Sequence, residues 1–318
     1  MATILSKEQL NLLENILTQA LDSYEVIPSI SEEEQQAKAN AELLQAYLSA
    51  KKIEGCSEKT IGYYQSTIDT LFVAVCKPVC DVTTNDIRNY LSGYQEQRKV
   101  SRVTIDNMRR IFSSFFAWLE DEDFIVKSPV RRIHRVRTES LVKEVLTDEN
   151  MEVLRDSCQE IRDIAMIDLL ASTGMRVGEL VNLNREDIDF HERQYVVFGK
   201  GNKEREVYFN ARTKIHLQNY LSSRTDDNPA LFVSLSNPHS RLSISGVEVR
   251  LRTLGRKVNI AKVHPHKFRR TLATMAIDKG MPIEQVQRLL GHVKIDTTLH
   301  YAMVNQNNVK MAHRKYIG

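Results

Sequence analysis

The sequence predicts a mainly α-helical protein with one small antiparallel β-sheet, divided into two domains. Three observations carry this. Apolar residues recur at helical spacing over most of the chain, and most of the stripes follow a capping residue. One stretch, 194–209, breaks that pattern with two short strand-like runs around a Gly-rich turn. The length of 318 residues suits about two domains, and Ser128-Pro129 supplies a break, because proline removes a donor and restricts its predecessor.

The elements follow in order. Residues 1–27 read as one amphipathic helix, opened by a capping box of Ser6 and Gln9 and striped by Leu10, Leu13, Leu17 and Leu21. Pro28 breaks it. Ser31 with Glu34 makes a second capping box and starts a long helix to about Lys52. Ser57 caps a helix carrying Ile61, Tyr64, Ile68, Leu71 and Phe72. Thr83 or Thr84 caps the next, with Ile87, Tyr90 and Leu91. From about Ser101 a further helix carries Ile105, Met108, Ile111, Phe112, Phe115, Phe116 and Leu119. Helices of this length can form a bundle with its own core. Past the break, Thr147 caps a helix to about Cys158, and residues 161–172 form an apolar helix. Tyr195–Phe198 and Glu206–Phe209 are the strands of a hairpin with Lys200 at its turn. Helices resume after 211, with loops near 222–229 and 235–241.

Composition narrows the class. The chain is 42% hydrophobic and 27% charged, as globular proteins are. No apolar run approaches the ~20 residues of a membrane span, and the N-terminus lacks an export signal. A cytoplasmic protein with reduced thiols is therefore expected. Cys76 and Cys80 have no histidine close by to complete a zinc set, and no Asp/Glu cluster has metal-ligand spacing, so no metal or cofactor is expected. The net charge of +3 is a weak hint of nucleic acid, but its distribution says more. Residues 127–143 hold Lys127, Arg131, Arg132, Arg135, Arg137 and Lys143 against Glu139 alone. This stretch suits phosphate neutralisation, or a solvated linker. Lys59, Thr60 and Arg102 at helix starts suit phosphate contact, and they suit ordinary helix starts equally.

Chemistry concentrates in the C-terminal half. Arg176 lies in Ser-Thr-Gly-Met-Arg-Val-Gly-Glu-Leu (172–180), and Lys200 in Gly-Lys-Gly-Asn-Lys-Glu-Arg (199–205). His266 and Arg269 form an H-x-x-R pair, His292 ends Leu-Leu-Gly-His (289–292), and Tyr301 follows nine positions later. A tyrosine hydroxyl can attack a phosphodiester and keep the bond energy in a covalent phosphotyrosine. Two guanidiniums can grip the non-bridging oxygens as charge builds on them. A lysine of lowered pKa can protonate the leaving oxygen, and a histidine can shuttle a proton or hold a phosphate oxygen.

In this order and context the series resembles the tyrosine recombinase (integrase) family, and most closely its Xer-like simple recombinases, over roughly residues 41–310. The resemblance implies catalytic roles for Arg176, Lys200, His266, Arg269, His292 and Tyr301, with Glu179 orienting its neighbours. Lys203 is the nearby competitor of Lys200. It joins the candidate DNA contacts together with Arg270, which stands where the family often carries histidine. His264 replaces a small hydroxyl residue common in the family. The family is similar in build to a C-shaped clamp on duplex DNA. That implies an N-terminal helical extension over 1–36, a SAM-like core-binding domain over 37–126, a basic linker over 127–145, and a catalytic domain over 146–318 whose tail exchanges between protomers. The partners implied are double-stranded recombination sites, bound by a homo-tetramer that is a monomer or weak oligomer when free, in the bacterial cytosol at the nucleoid. The implied activity is site-specific strand exchange through a Holliday junction. The readings set beside it are a non-catalytic DNA-binding relative and a type IB-like topoisomerase. The extra N-terminal helix leans toward inversion or mobile-element movement over a housekeeping role.

Overall fold

The computed structural model describes residues 6–21, 32–137, 144–198 and 204–302, and for Lys7, Leu10, Leu21, Glu32, Glu33 and residues 300–302 the course of the backbone only. The chain divides into two compact units, Met1–Ser140 and Leu141–Gly318.

The first unit is helical: α1 (Lys7–Leu21), α2 (Glu32–Ile53), α3 (Glu58–Val75), α4 (Thr84–Arg98) and α5 (Arg102–Asp121). The cap residues read from the sequence form their bonds. Ser6 and Gln9 close a reciprocal box, Ser57 accepts from the Thr60 N–H, Thr83 boxes with Asp86, and Ser101 accepts from the Thr104 N–H. Each satisfies donors that a helix start leaves open. The Ser31 cap lies outside the described residues, and so does the continuation of α1 past Leu21.

Helix α5 is the centre of this unit. Its apolar residues fall on one face at i, i+3 and i+4 spacing, and Phe112, Phe115, Phe116 and Leu119 are fully buried. Phe115 meets Tyr47 of α2 edge-on at 5.1 Å and Phe72 of α3 at 6.0 Å, while Phe112 meets Tyr90 of α4 at 5.8 Å. One helix thus gathers α2, α3 and α4. Part of the basic stretch also packs here. Val130 is buried in the bundle core, the Pro129 carbonyl accepts from Thr84, and the Val136 N–H donates to Asp106. The exposed side chains of Arg131, Arg132, Arg135 and Arg137 therefore project from a backbone that is held through Val136.

The second unit comprises α6 (Asp148–Asp156), α7 (Ile161–Thr173), α8 (Val177–Asn182), the hairpin β1 (Gln194–Phe198) and β2 (Glu204–Tyr208), then α9 (Ala211–Ser222), α10 (Ile244–Lys257), α11 (Pro265–Asp278), α12 (Ile283–Leu290) and α13 (Asp296–Ala302). The strands pair antiparallel, from Gln194 opposite Tyr208 to Phe198 opposite Glu204. Tyr195, Val197 and Val207 point into the core, as period-two alternation requires.

Helix α7 is buried on nearly every side, which brings two carboxylates inside with it. Asp163 pairs with Arg162 and Arg250, and Asp168 pairs with Arg155 and His216, because a buried charge left alone costs several kcal/mol. Gly174 ends α7 in the left-handed conformation, where an added Cβ would lie 2.8 Å from Leu272 Cδ2 and 3.1 Å from Leu290 Cδ2. Glycine there lets α7, α11 and α12 close on one another. Among the described residues no helix is long and apolar enough to cross a membrane.

Truncating the aromatic hub of the bundle should be costly. Phe115→Ala is expected to lower stability by about 3–5 kcal/mol in chemical denaturation, from lost transfer energy and the cavity left behind.

Candidate functional site

The site is assembled at the C-terminal end of α12. Gly291 takes the left-handed conformation there, and the His292 N–H returns to the Gln287 carbonyl at 3.1 Å, a Schellman turn. The end of a helix leaves carbonyls without partners and carries partial negative charge. Three arginines from three different elements supply both needs. Arg205 of β2 donates to the Leu289 carbonyl, Arg269 of α11 to the Leu290 carbonyl, and Arg176, at the start of α8, to the Gly291 carbonyl. Arg269 also donates to the Gly174 carbonyl at 2.7 Å, so one guanidinium ties the end of α7 to the end of α12.

Glu179 organises two of these cations. Its carboxylate accepts from the Arg176 backbone N–H at 2.8 Å and from Arg176 Nη1 at 2.9 Å. It also accepts both Arg205 Nη groups, at 2.7 and 2.9 Å, in a bidentate pair. Burial alone would raise its pKa. The bonds from Arg205 and from the Arg176 N–H outweigh that and hold the carboxyl below its usual range.

His266 and His292 face this cationic group. Desolvation lowers the pKa of His266, and the charges of Arg269 and Arg176 lower it further. The same causes, with Arg205 added, push His292 down to about 4. Both rings are therefore neutral near pH 7. His292 Nδ1 lies 2.9 Å from the hydroxyl of Thr298, which is fully buried in α13. Thr298 stands one turn before Tyr301 on the same helix. A cleft lined by Arg176, Glu179, Val196 of the hairpin and His266 opens beside the group.

The structure thus gathers Arg176, Glu179, His266, Arg269 and His292 in one place, and carries the backbone of Tyr301 on the adjoining helix. The side chain of Tyr301 and residues Lys200, Lys203 and Lys143 lie outside what is described. Lys59, Arg102 and Lys127 are exposed in the first unit, and the Thr60 hydroxyl bonds that of Ser57 at 2.9 Å. Arg270 donates to the Glu144 carbonyl at 2.9 Å. Arg205 went unassigned in the sequence. Its signal was an arginine two residues before the apolar Val207, on the inward face of a strand, where a charge requires a partner.

Residues 144–308 match the phage integrase family, and residues 43–125 match the phage integrase N-terminal SAM-like domain. The chain is 30% identical over 284 residues to tyrosine recombinase XerC of Staphylococcus aureus (strain bovine RF122 / ET3-1), covering 85% of this chain and 94% of that one. This chain belongs to the tyrosine recombinase family.

Solved structures agree in fold. The XerA recombinase, at 28% identity, covers 88% of this recombinase and 99% of its own chain with a TM-score of 0.51. The Tn1549 transposon integrase, in complex with a circular intermediate DNA, reaches a TM-score of 0.71 at 20% identity, covering 86% of this chain and 98% of its own. The mainly helical, two-unit fold with one small sheet read from the sequence is the fold of the family.

The depressed pKa of His292 sets a sign for acid stability. The unfolded chain protonates this ring near 6.5 and the folded one near 4, so the unfolded state binds more protons between those values. The contribution is complete above about 6.5 and is lost as pH falls toward 4. Thermal stability of the wild type should fall as pH drops across that window, and that of His292→Asn should fall less steeply.

Proposed function

We propose that this recombinase cuts and rejoins double-stranded DNA at specific sites through a covalent bond between Tyr301 and a 3′-phosphate. The supporting observation is the convergence of Arg176 and Arg269 with two neutral histidines at one helix end, beside the helix that carries Tyr301. A phosphodiester seated on the two guanidiniums would have its non-bridging oxygens opposed by fixed positive charge, and the attack on phosphorus adds to the charge on those oxygens. The Tyr301 oxygen attacks and the bond from phosphorus to the 5′-oxygen breaks. The phenolic proton passes to a neutral imidazole, and Lys200 protonates the departing 5′-oxygen. Rejoining is the reverse, with a 5′-hydroxyl of another strand as nucleophile.

The neutral state of the histidines supports this assignment. An imidazole already protonated could not receive the phenolic proton. Burial first, and then the charges of Arg269, Arg176 and Arg205, hold His292 neutral, and the first two of those cations would bind the phosphate, so they contribute to both needs. The exposed arginines at 131, 132, 135 and 137, with Lys59 and Arg102, would contact the DNA backbone. The family resemblance supports a homo-tetramer acting on two sites through a four-way junction.

Nicked duplexes from DNA flanking the gene test the assignment, because the freed strand diffuses away and traps the intermediate. The wild type is expected to give a protein–DNA adduct on a denaturing gel. Tyr301→Phe should give none while shifting the same DNA on a native gel. An adduct that survives in Tyr301→Phe would assign the nucleophile elsewhere, with Tyr316 the next residue to replace.

A further inference from the structure

Arg205 is the inward-facing cation at the turn end of the hairpin. In the strand register it lies opposite Val197, and the next pair, Phe198 with Glu204, closes onto residues 199–203. Glu204, Glu206 and Tyr208 on the same strand are exposed, so at this end β2 meets the body of the unit through Arg205 and Val207. The Arg205 side chain is 12% exposed and that of Glu179 is 6% exposed. Its guanidinium spans both Glu179 oxygens, and Nε reaches the Leu289 carbonyl at 3.3 Å. Its stem lies against Gly291, where an added Cβ would come within 2.8 Å of Arg205 Cδ. One side chain therefore touches the strand that leads out of the hairpin turn, the carboxylate that orients Arg176, and the glycine before His292.

We infer that Arg205 is a positioning residue. It fixes the described end of the hairpin against Glu179 and the end of α12, and through this it serves Lys200, five positions earlier, in protonating the leaving oxygen. This rests on the proposed role of Lys200 as the general acid. The planar fork suits the task. A lysine ammonium carries its three donors at one rotating point, so it would hold two carboxylate oxygens and a backbone carbonyl with less fixed geometry. Arg176 itself keeps two other bonds to Glu179, from its backbone N–H and Nη1, so losing Arg205 leaves that arginine tethered. The consequence falls mainly on the hairpin.

A change of leaving group separates a positioning defect from a general one. Sulfur in place of the bridging 5′-oxygen at the scissile phosphate departs as a thiolate. A thiol has a pKa of about 8.5, far below that of an alcohol, so its departure needs no proton donor. Single-turnover adduct formation would be measured with the full-length protein on oxygen and sulfur versions of the site mapped by the nicked duplexes. The proteins compared are the wild type, Lys200→Ala, Arg205→Ala and Arg205→Lys. Lys200→Ala should be slow on oxygen and near wild type on sulfur, as loss of a general acid requires. Arg205→Ala should follow the same pattern, with a loss of order 10²-fold on oxygen, the low end for general acid catalysis, and mostly recovered on sulfur. Arg205→Lys, which keeps the charge and most of the stem, should fall between. It also carries the test if the alanine variant fails to fold. Equal losses of the Arg205 variants on both substrates would overturn the inference, as would wild-type rates on oxygen. If Lys200→Ala is not recovered by sulfur, the reading of Lys200 fails, and the positioning role fails with it.

Discussion

The end of helix α12 is the constraint on which the site depends. A helix terminus exposes carbonyls that must be paired, and here three consecutive ones are taken by guanidiniums arriving from the start of α8, from β2 and from α11. Each arginine comes from a different part of the chain, so satisfying one helix end brings four elements together. The left-handed glycine at 291 makes the turn that presents those carbonyls, and the same turn delivers His292. Gly174 plays the matching part at the end of α7, where its carbonyl accepts Arg269.

So many cations in one place would repel one another without a counter-charge. Glu179 supplies it, buried and bonded to both Arg176 and Arg205. One carboxylate against three guanidiniums leaves an excess of positive charge, which adds to burial in depressing the pKa values of His266 and His292. A phosphate would bring the missing negative charge. Backbone carbonyls hold the forks of Arg176 and Arg269 in fixed orientations. The hairpin belongs to this arrangement through Arg205, which makes the sheet part of the site's framework.

The first unit solves a different problem. Its core is aromatic and self-contained around α5, and its charged residues stay on the surface. The basic stretch after Ser128 begins as an extension of that bundle, fastened at Val130 and by the Val136 N–H. Its arginines are thus presented on an ordered backbone as far as the described residues run. That suits contacts along a DNA backbone, where several charges must act in register.

The sequence alone outlined the helices after residue 211, and it determined α2 to α7 with most of their caps, and the hairpin strands. These depend on residues within about four positions of one another, a range that periodicity and capping patterns read directly. It also carried Arg176, His266, Arg269, His292 and Tyr301 in order, because each sits in a short local pattern with a recognisable chemistry. Only the tertiary structure decided what those residues touch. Arg176 reaches Gly291 across 115 positions, Arg269 reaches Gly174 across 95, and Arg205 reaches Glu179 across 26. The neutrality of His292 is likewise a sum of burial and charges brought from three elements. No local pattern encodes such distances. They are set by how α7, α11 and α12 close on Gly174, a packing event that the order of residues implies but does not display.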